Sequence, residues 1–143
     1  MLSSYNGTIG VSIERWKRNK LIYENDRWIA NADQRQLPIS GNEEAGYRPY
    51  QLFTSAIAGC FGEMVIHVCR KKRISYQGLT ITPETTREGT VNKITHIHLH
   101  MIFESISTSD EQLEKVMKLA LKHCSMVQSV KGTIDITLSH ERI

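Results

Sequence analysis

One long apolar stretch near the middle of the chain constrains the fold more than any other feature. It opens at Pro49, a residue suited to the first helical position, and it closes on the basic cluster Arg70–Arg73, whose cations complement the negative end of a helix dipole. Apolar residues recur between these ends at helical spacing and also occupy other sides: Leu52, Phe53, Ala56, Ile57, Cys60, Phe61, Met64, Val65 and Val68. A helix that is apolar nearly all round is a buried one. The pattern therefore predicts a buried helix over residues 49–73, about 37 Å long.

The length of the chain limits how such a helix is covered. With 143 residues we expect one domain over residues 1–143. A monomer of this size has little material with which to cover a helix that is apolar on more than one face, which favours a homodimer that wraps it. The formal net charge of +3 is too small to favour nucleic acid or an anionic membrane as a partner.

The N-terminal sequence and the cysteines indicate where in the cell the protein is located. The first residues contain no apolar core of a signal peptide, and no stretch reaches the ~18 apolar residues of a membrane span. We therefore expect a soluble, cytoplasmic protein. The three cysteines, Cys60, Cys69 and Cys124, are odd in number and widely spaced, unlike a disulfide framework or a zinc site. In a reducing compartment they rest as thiols.

Short strands and a second helix surround the long helix in the sequence. Alternating apolar residues predict strands in residues 8–14, "KLIYEN" and "RWIAN", the last two joined by a tight turn at Asn25-Asp26. Residues 33–48, which contain two glycines and a proline, are expected to form a loop. A hairpin follows over residues 76–84 and 91–104, then a helix capped by Ser109, and then a final strand, "TIDITLS". This order indicates an α+β fold.

The second helix carries one unbroken apolar stripe that ends in a cysteine. Its members are Leu113, Val116, Met117, Ala120, Leu121 and Cys124. Cys60 also lies on a core-facing stripe, so the two sulfurs meet if the two helices pack together. Cys69 lies about 180° around the helix from Cys60, and we interpret it as structural. Free cysteine is among the most buried residue types, so an inert core thiol remains the alternative for Cys60.

The segment "YRPYQLFTSAIAGCFGEM" resembles the helix opening of the OsmC/Ohr family, the osmotically induced and organic-hydroperoxide-resistance proteins. In that family a proline-led helix carries the reactive cysteine about eleven residues after the proline, and Pro49, Leu52 and Cys60 fit this pattern. The second family cysteine lies on a later helix before the last strand, where Cys124 stands. The resemblance implies an OsmC-like α+β fold, with antiparallel sheets around a long buried central helix in an intertwined homodimer.

The resemblance also implies a thiol-dependent peroxidase that needs no cofactor and no metal. The Cys60 thiolate attacks an organic hydroperoxide and becomes a sulfenic acid, Cys124 condenses with it to a disulfide, and an external dithiol reduces the pair. Burial raises the pKa of a thiol, so we expect a nearby positive charge to ionise Cys60. The family uses an arginine from the N-terminal strands, which makes Arg18 the first candidate here and Arg15 the second.

Two positions depart from the family pattern and keep a second function open. Tyr50 stands where hydroperoxide reductases carry the glutamate that holds the arginine, and Ser125 stands where the family usually has proline. Glu63, one turn after Cys60, is a candidate to replace that glutamate, as are Glu43 and Glu44. The alternative is the same fold without efficient peroxidase activity, acting as a thiol redox sensor or a small-ligand-binding dimer.

Further polar and aromatic residues offer other interpretations. His96, His98 and His100 alternate along one strand, which predicts either a solvated or interfacial face or, as a third class of function, a metal-binding module. His67 and His123 are candidates for lining the pocket or moving protons. Four aromatic residues are candidates for an apolar mouth or for the core: Tyr47, Tyr50, Phe53 and Phe61.

Overall fold

The computed structural model of the chain describes residues 2–5, 12–15, 20–32 and 34–143. The chain forms two compact units, Met1–Leu52 and Phe53–Ile143. The boundary between them falls within the first turn of the central helix, α1 (Pro49–Lys71). The expectation of one domain over residues 1–143 stays a prediction.

The first unit consists of two small antiparallel sheets. Strands β1 (Leu2–Tyr5) and β2 (Ser12–Arg15) form a pair, and part of the strand predicted over residues 8–14 lies outside the described residues. Strands β3 (Lys20–Glu24), β4 (Arg27–Ala32) and β5 (Arg35–Ile39) form a sheet in that order.

The predicted tight turn between β3 and β4 is confirmed. Asn25 and Asp26 both have positive φ, 50° and 59°, as the two central residues of a type I′ hairpin turn require. The rings of Tyr23 and Trp28 pack across the hairpin with their centroids 5.3 Å apart.

The loop predicted over residues 33–48 is wrong in its first part, because Arg35–Ile39 is β5. Proline is compatible with an edge strand, since its missing N–H is not needed on the unpaired side, and β5 is the edge of its sheet. The rest of the segment folds back on this strand, and the N–H of Tyr47 donates to the Pro38 carbonyl at 3.0 Å. Gly46 permits the close approach, because a Cβ there would lie 2.7 Å from the Pro38 carbonyl carbon.

The second unit packs helices against one three-stranded sheet. After α1 come β6 (Gly78–Glu88), β7 (Lys93–Glu104), α2 (Asp110–His123), α3 (Ser125–Val130) and β8 (Asp135–Arg142), and the strand order is β6-β7-β8. The predicted hairpin is confirmed as β6 and β7, and Ser109 caps α2 by accepting from the Gln112 N–H. The other described strand pairs are antiparallel, as expected, whereas β8 runs parallel to β7. The two helices between these strands supply the crossover that a parallel pair needs.

One face of α1 forms the core of this unit together with β7 and α2. Alternate residues of β7 point inward, as the period of a strand requires. The fully buried members of the core include Phe61, Val65 and Cys69 from α1, Ile97, Leu99, Met101 and Phe103 from β7, and Leu113, Val116 and Ala120 from α2. The expectation that α1 is buried all round is not met within the described chain, since Phe53, Gly59 and Glu63 are exposed.

The C-terminus of α1 lies two residues earlier than predicted. Arg73 adopts a positive φ of 55°, its N–H donates to the Arg70 carbonyl, and the Ile74 N–H donates to the Cys69 carbonyl. These two bonds are those of a Schellman motif, which ends a helix with one left-handed residue. Helix α1 is long and apolar enough to cross a membrane by length and composition, but its buried residues pack as the core helix of this unit.

The contact between α1 and β6 gives a test of this packing. A Cβ at the buried Gly62 would lie 2.8 Å from the Ile81 Cδ1 atom. Gly62→Ala gains about 1 kcal/mol of helix propensity, but it should lose about 1–3 kcal/mol to overpacking. Ile81→Val removes the obstructing methyl group at a cost of about 1 kcal/mol. We expect the double variant to be more stable than the sum of the single effects predicts, as measured by urea unfolding. Additive effects would contradict the contact.

Candidate active site

Cys60 and Cys124 lie together in the second unit, where α1, α2 and α3 meet. Cys60 lies in the middle of α1 and is partly exposed, whereas Cys124 is fully buried. Cys124 follows the last residue of α2 and precedes the first residue of α3, and its backbone is extended, with φ −76° and ψ 115°. The chain therefore bends at Cys124, and α3 begins directly beside α1. Both cysteines are free thiols, as is Cys69.

The Cys60 sulfur is surrounded by hydrogen-bond donors from this bend. The hydroxyl oxygen of Ser125 lies 3.6 Å from Cys60 Sγ. The backbone N–H groups of Ser125 and Met126 and the Cys124 thiol also act on this sulfur and lower its pKa. The first N–H groups of a helix have no partner inside the helix, so they are available to a neighbouring sulfur.

These donors decide the ionisation of Cys60. Desolvation by burial raises the pKa of the thiol, but the hydrogen bonds from the Met126 N–H, the Ser125 hydroxyl, the Cys124 thiol and the Ser125 N–H outweigh it. The pKa of Cys60 is therefore lowered. The sequence-based expectation relied on an arginine, and it missed α3 altogether. The segment "SMVQSV" carries too weak a periodic signal to predict a helix of six residues.

The pKa values of the other two thiols, Cys124 and Cys69, shift in the opposite direction. Desolvation raises the pKa of Cys124, and the hydrogen bond and negative charge of Cys60 raise it further, although N–H groups of Val127 and Met126 act against this. Burial alone raises the pKa of Cys69. Cys60 is therefore the thiol that ionises first. Cys69 lies fully buried in the core, in agreement with its interpretation as structural.

The residues expected to hold or supply the activating charge have different positions. Arg18 lies outside the described residues, and of Arg15 the structure describes only the backbone, at the end of β2. Glu63 is exposed on α1, and no lysine, arginine or histidine of the described ranges forms a salt bridge with it. Glu43 and Glu44 line a cavity of about 480 Å³ inside the first unit.

The histidines and the aromatic residues proposed to line a pocket lie in different places. His67 and His123 line a shared cavity of about 360 Å³ between α1 and α2. Three apolar and two basic residues also line it: Met64, Val68, Leu119, Lys71 and Lys72. Phe61 is fully buried and belongs to the core rather than to an apolar mouth. Tyr47 and Phe53 are 54% and 41% exposed.

The three alternating histidines lie on the outer face of the sheet and bond to hydroxyl groups of β8. Thr137 lies 2.7 Å from ring nitrogens of both His96 and His98, and Ser139 lies 2.7 Å from ring nitrogens of both His98 and His100. Among the residues that the structure describes, no three histidine, cysteine or carboxylate side chains are grouped to hold a metal ion. The geometry is that of a partly solvated polar face.

Comparison with known proteins identifies the family. The sequence profile of OsmC-like proteins matches residues 41–139, which is more than half of the chain. The chain belongs to the OsmC-like family. No curated protein sequence matches it.

Solved structures agree with this OsmC-like assignment at the level of the fold. An OsmC-like protein from Mycoplasma pneumoniae is 18% identical, with a TM-score of 0.78 over 87% of this chain and 94% of that one. An organic hydroperoxide resistance protein OsmC from Legionella pneumophila is 19% identical, with a TM-score of 0.67 over 85% and 96%. The organic hydroperoxide resistance protein OhrB of Bacillus subtilis is 15% identical, with a TM-score of 0.61 over 85% and 95%. The OsmC-like fold predicted from the sequence is confirmed.

The three thiols of this OsmC-like chain should react in a fixed order. We expect iodoacetamide at neutral pH to label Cys60 first, because its pKa is lowered and it is partly exposed. Cys124 and Cys69 should react much more slowly, since both are buried and their pKa values are raised. Time-resolved labelling with fragment-ion mass spectrometry measures the order, and the unfolded chain in urea provides the control in which the three rates converge. Labelling of Cys69 before Cys60 in the folded protein would contradict the assignment of Cys60 as the most acidic thiol.

Proposed function

We propose that this OsmC-like protein is a cysteine-based peroxidase that reduces organic hydroperoxides. The observation that carries the proposal is the pairing of two unequal thiols, since Cys60 has a lowered pKa beside a Cys124 whose pKa is raised. The names of the Legionella and Bacillus proteins, which share the fold, add support for a role in resistance to hydroperoxides.

In the first step the Cys60 thiolate attacks the terminal oxygen of a hydroperoxide, ROOH. A sulfur–oxygen bond forms, the oxygen–oxygen bond breaks, and the alkoxide leaves as the alcohol ROH after taking up a proton from water. The sulfur is oxidised by two electrons to a sulfenic acid. The partial exposure of Cys60 gives the peroxide access to the sulfur.

In the second step Cys124 resolves the sulfenic acid. The negative charge of Cys60 is one cause of the raised pKa of Cys124, and that charge disappears when Cys60 becomes a neutral sulfenic acid. Cys124 then ionises more readily and attacks the Cys60 sulfur, forming the disulfide, while the hydroxyl leaves as water with the proton from Cys124. An external dithiol supplies two electrons and restores both thiols.

The proposal includes the surroundings in which this cycle runs. A reducing cytoplasm supplies the dithiol and keeps the cysteines as thiols. A homodimer is proposed because α1 keeps apolar surface exposed in the described chain, including Phe53 at 41%. We expect Arg18, or otherwise Arg15, to stabilise the thiolate further.

A second candidate function is a thiol redox sensor or small-ligand-binding dimer of the same fold. The observation that favours it is Tyr50, whose ring lies under the Arg48 guanidinium at 5.3 Å. Tyr50 occupies the position where the family's hydroperoxide reductases carry a carboxylate. An aromatic ring does not hold an arginine as a carboxylate does, and slow turnover would follow.

Cysteine variants separate the two functions. We expect cumene hydroperoxide to remove two free thiols per chain from the wild type and none from Cys60→Ser. In Cys124→Ser the sulfenic acid has no resolving thiol, so a dimedone adduct should accumulate on Cys60. Cys69→Ala is the matched control and should behave like the wild type, because its buried thiol is outside the site. Identical peroxide consumption by Cys60→Ser and the wild type would overturn the peroxidase and favour the second function.

Arginine variants test the proposed cation. An arginine near the sulfur favours the thiolate, so Arg18→Ala should raise the pH midpoint of Cys60 alkylation by about one unit or more. Arg18→Lys keeps the charge and should retain part of the effect. If only Arg15→Ala moves the midpoint, the role belongs to Arg15. If neither substitution moves it, the N–H and hydroxyl donors of α3 act without an arginine.

A further inference from the structure

We propose that the Ser125 hydroxyl is a catalytic hydrogen-bond donor that stabilises the Cys60 thiolate during peroxide reduction. This inference rests on the proposed function and concerns a residue for which the family pattern, with proline at this position, predicts no such role. It adds to the site a side chain that touches the reacting sulfur, with an oxygen–sulfur distance of 3.6 Å.

The position of Ser125 is fixed by the helix that it begins. It is the first residue of α3 and directly follows the extended residue Cys124. Its own N–H and that of Met126 also lower the pKa of the same thiol. Among the hydrogen bonds of the described residues, the Cys60 sulfur is the one partner of the Ser125 hydroxyl. Among those bonds the hydroxyl therefore has no protein acceptor other than this sulfur.

The direction of the hydrogen bond depends on the charge of the sulfur. When Cys60 is a neutral thiol, either atom is able to donate. When Cys60 is a thiolate it carries no hydrogen, so Ser125 must donate, and a hydrogen bond to a charged acceptor is roughly twice as strong as a neutral one. The contact therefore favours the ionised form, which is the form that attacks the peroxide.

Serine also provides at this position what proline lacks. Proline has no backbone N–H and no hydroxyl, whereas Ser125 contributes both groups to the sulfur. Tyr50 removes the carboxylate expected to hold an arginine. In this proposal Ser125 supplies stabilisation that depends on no arginine and so replaces part of what the departure at Tyr50 removes.

Two isosteric variants isolate the hydroxyl. Ser125→Thr keeps the hydroxyl and adds one methyl group, Ser125→Val has the shape of that threonine with a methyl group in place of the hydroxyl, and Ser125→Ala removes the hydroxyl altogether. We expect the Val and Ala variants to raise the pH midpoint of Cys60 alkylation by about 0.5–1 unit and to lower the peroxide rate at neutral pH about three- to tenfold. The Thr variant should remain close to the wild type.

Ser129→Ala is the matched control on the same helix. It deletes a hydroxyl that bonds to the Ser125 carbonyl and not to Cys60, so it should alter thermal stability without moving the alkylation midpoint. A Val variant that folds, as judged by its circular dichroism, and titrates like the Thr variant would overturn the inference.

The two readouts keep this inference distinguishable from the proposed function. Iodoacetamide alkylation reports the thiolate without any peroxide. A shifted midpoint in Ser125→Val together with no peroxide turnover by the wild type would refute the peroxidase but leave Ser125 as the donor to a reactive thiolate. Peroxide turnover together with an unshifted midpoint would refute the role of Ser125 and leave the peroxidase intact.

Discussion

The candidate site depends on one interaction, the hydrogen bonding of the Cys60 sulfur by the first residues of α3. That interaction exists because the chain bends at Cys124, where an extended residue separates α2 from α3. The bend directs N–H groups without intrahelical partners towards α1. A continuous helix through residues 110–130 would have used those N–H groups in its own ladder and withdrawn them from the sulfur. The break between α2 and α3 is thus what makes Cys60 acidic.

The same bend places the two thiols in different environments. Cys124 is fully buried next to Cys60 and is destabilised as an anion by the Cys60 charge. Two adjacent thiols that shared one environment would compete for ionisation. Here the balance of burial and donors lowers the pKa of the partly exposed Cys60 and raises that of the buried Cys124, so Cys60 loses its proton first. In the proposed peroxidase cycle, oxidation of Cys60 would remove the charge that raises the pKa of Cys124, so Cys124 would become reactive only after the first step.

Periodicity predicted which elements form, but not the contacts that decide the chemistry. Helix α1, the β6–β7 hairpin and the cap at Ser109 follow from apolar spacing and local hydrogen bonding. The strand β5 was missed because Pro38 signals a loop unless the edge of a sheet tolerates it. Helix α3 was missed because six residues carry almost no periodic signal. The donors to Cys60 therefore lay in the segment that sequence reasoning describes least well, and the apolar spacing identified only the thiols.

Two cysteines on helix α1 show what determines the acidity of a thiol in this chain. Cys60 and Cys69 are the same residue type on the same helix, yet the pKa of one is lowered and that of the other is raised. Nine residues of separation turn Cys69 towards the core, where it is fully buried and desolvation alone acts on its pKa. Cys60 lies at the edge of the buried face, with hydrocarbon behind it and the N–H groups of α3 beside it. Desolvation raises the pKa of both thiols. Burial by itself therefore does not explain why the two pKa values shift in opposite directions. The hydrogen-bond donors at the start of α3 make the difference between these two thiols, because they act on Cys60 and not on Cys69.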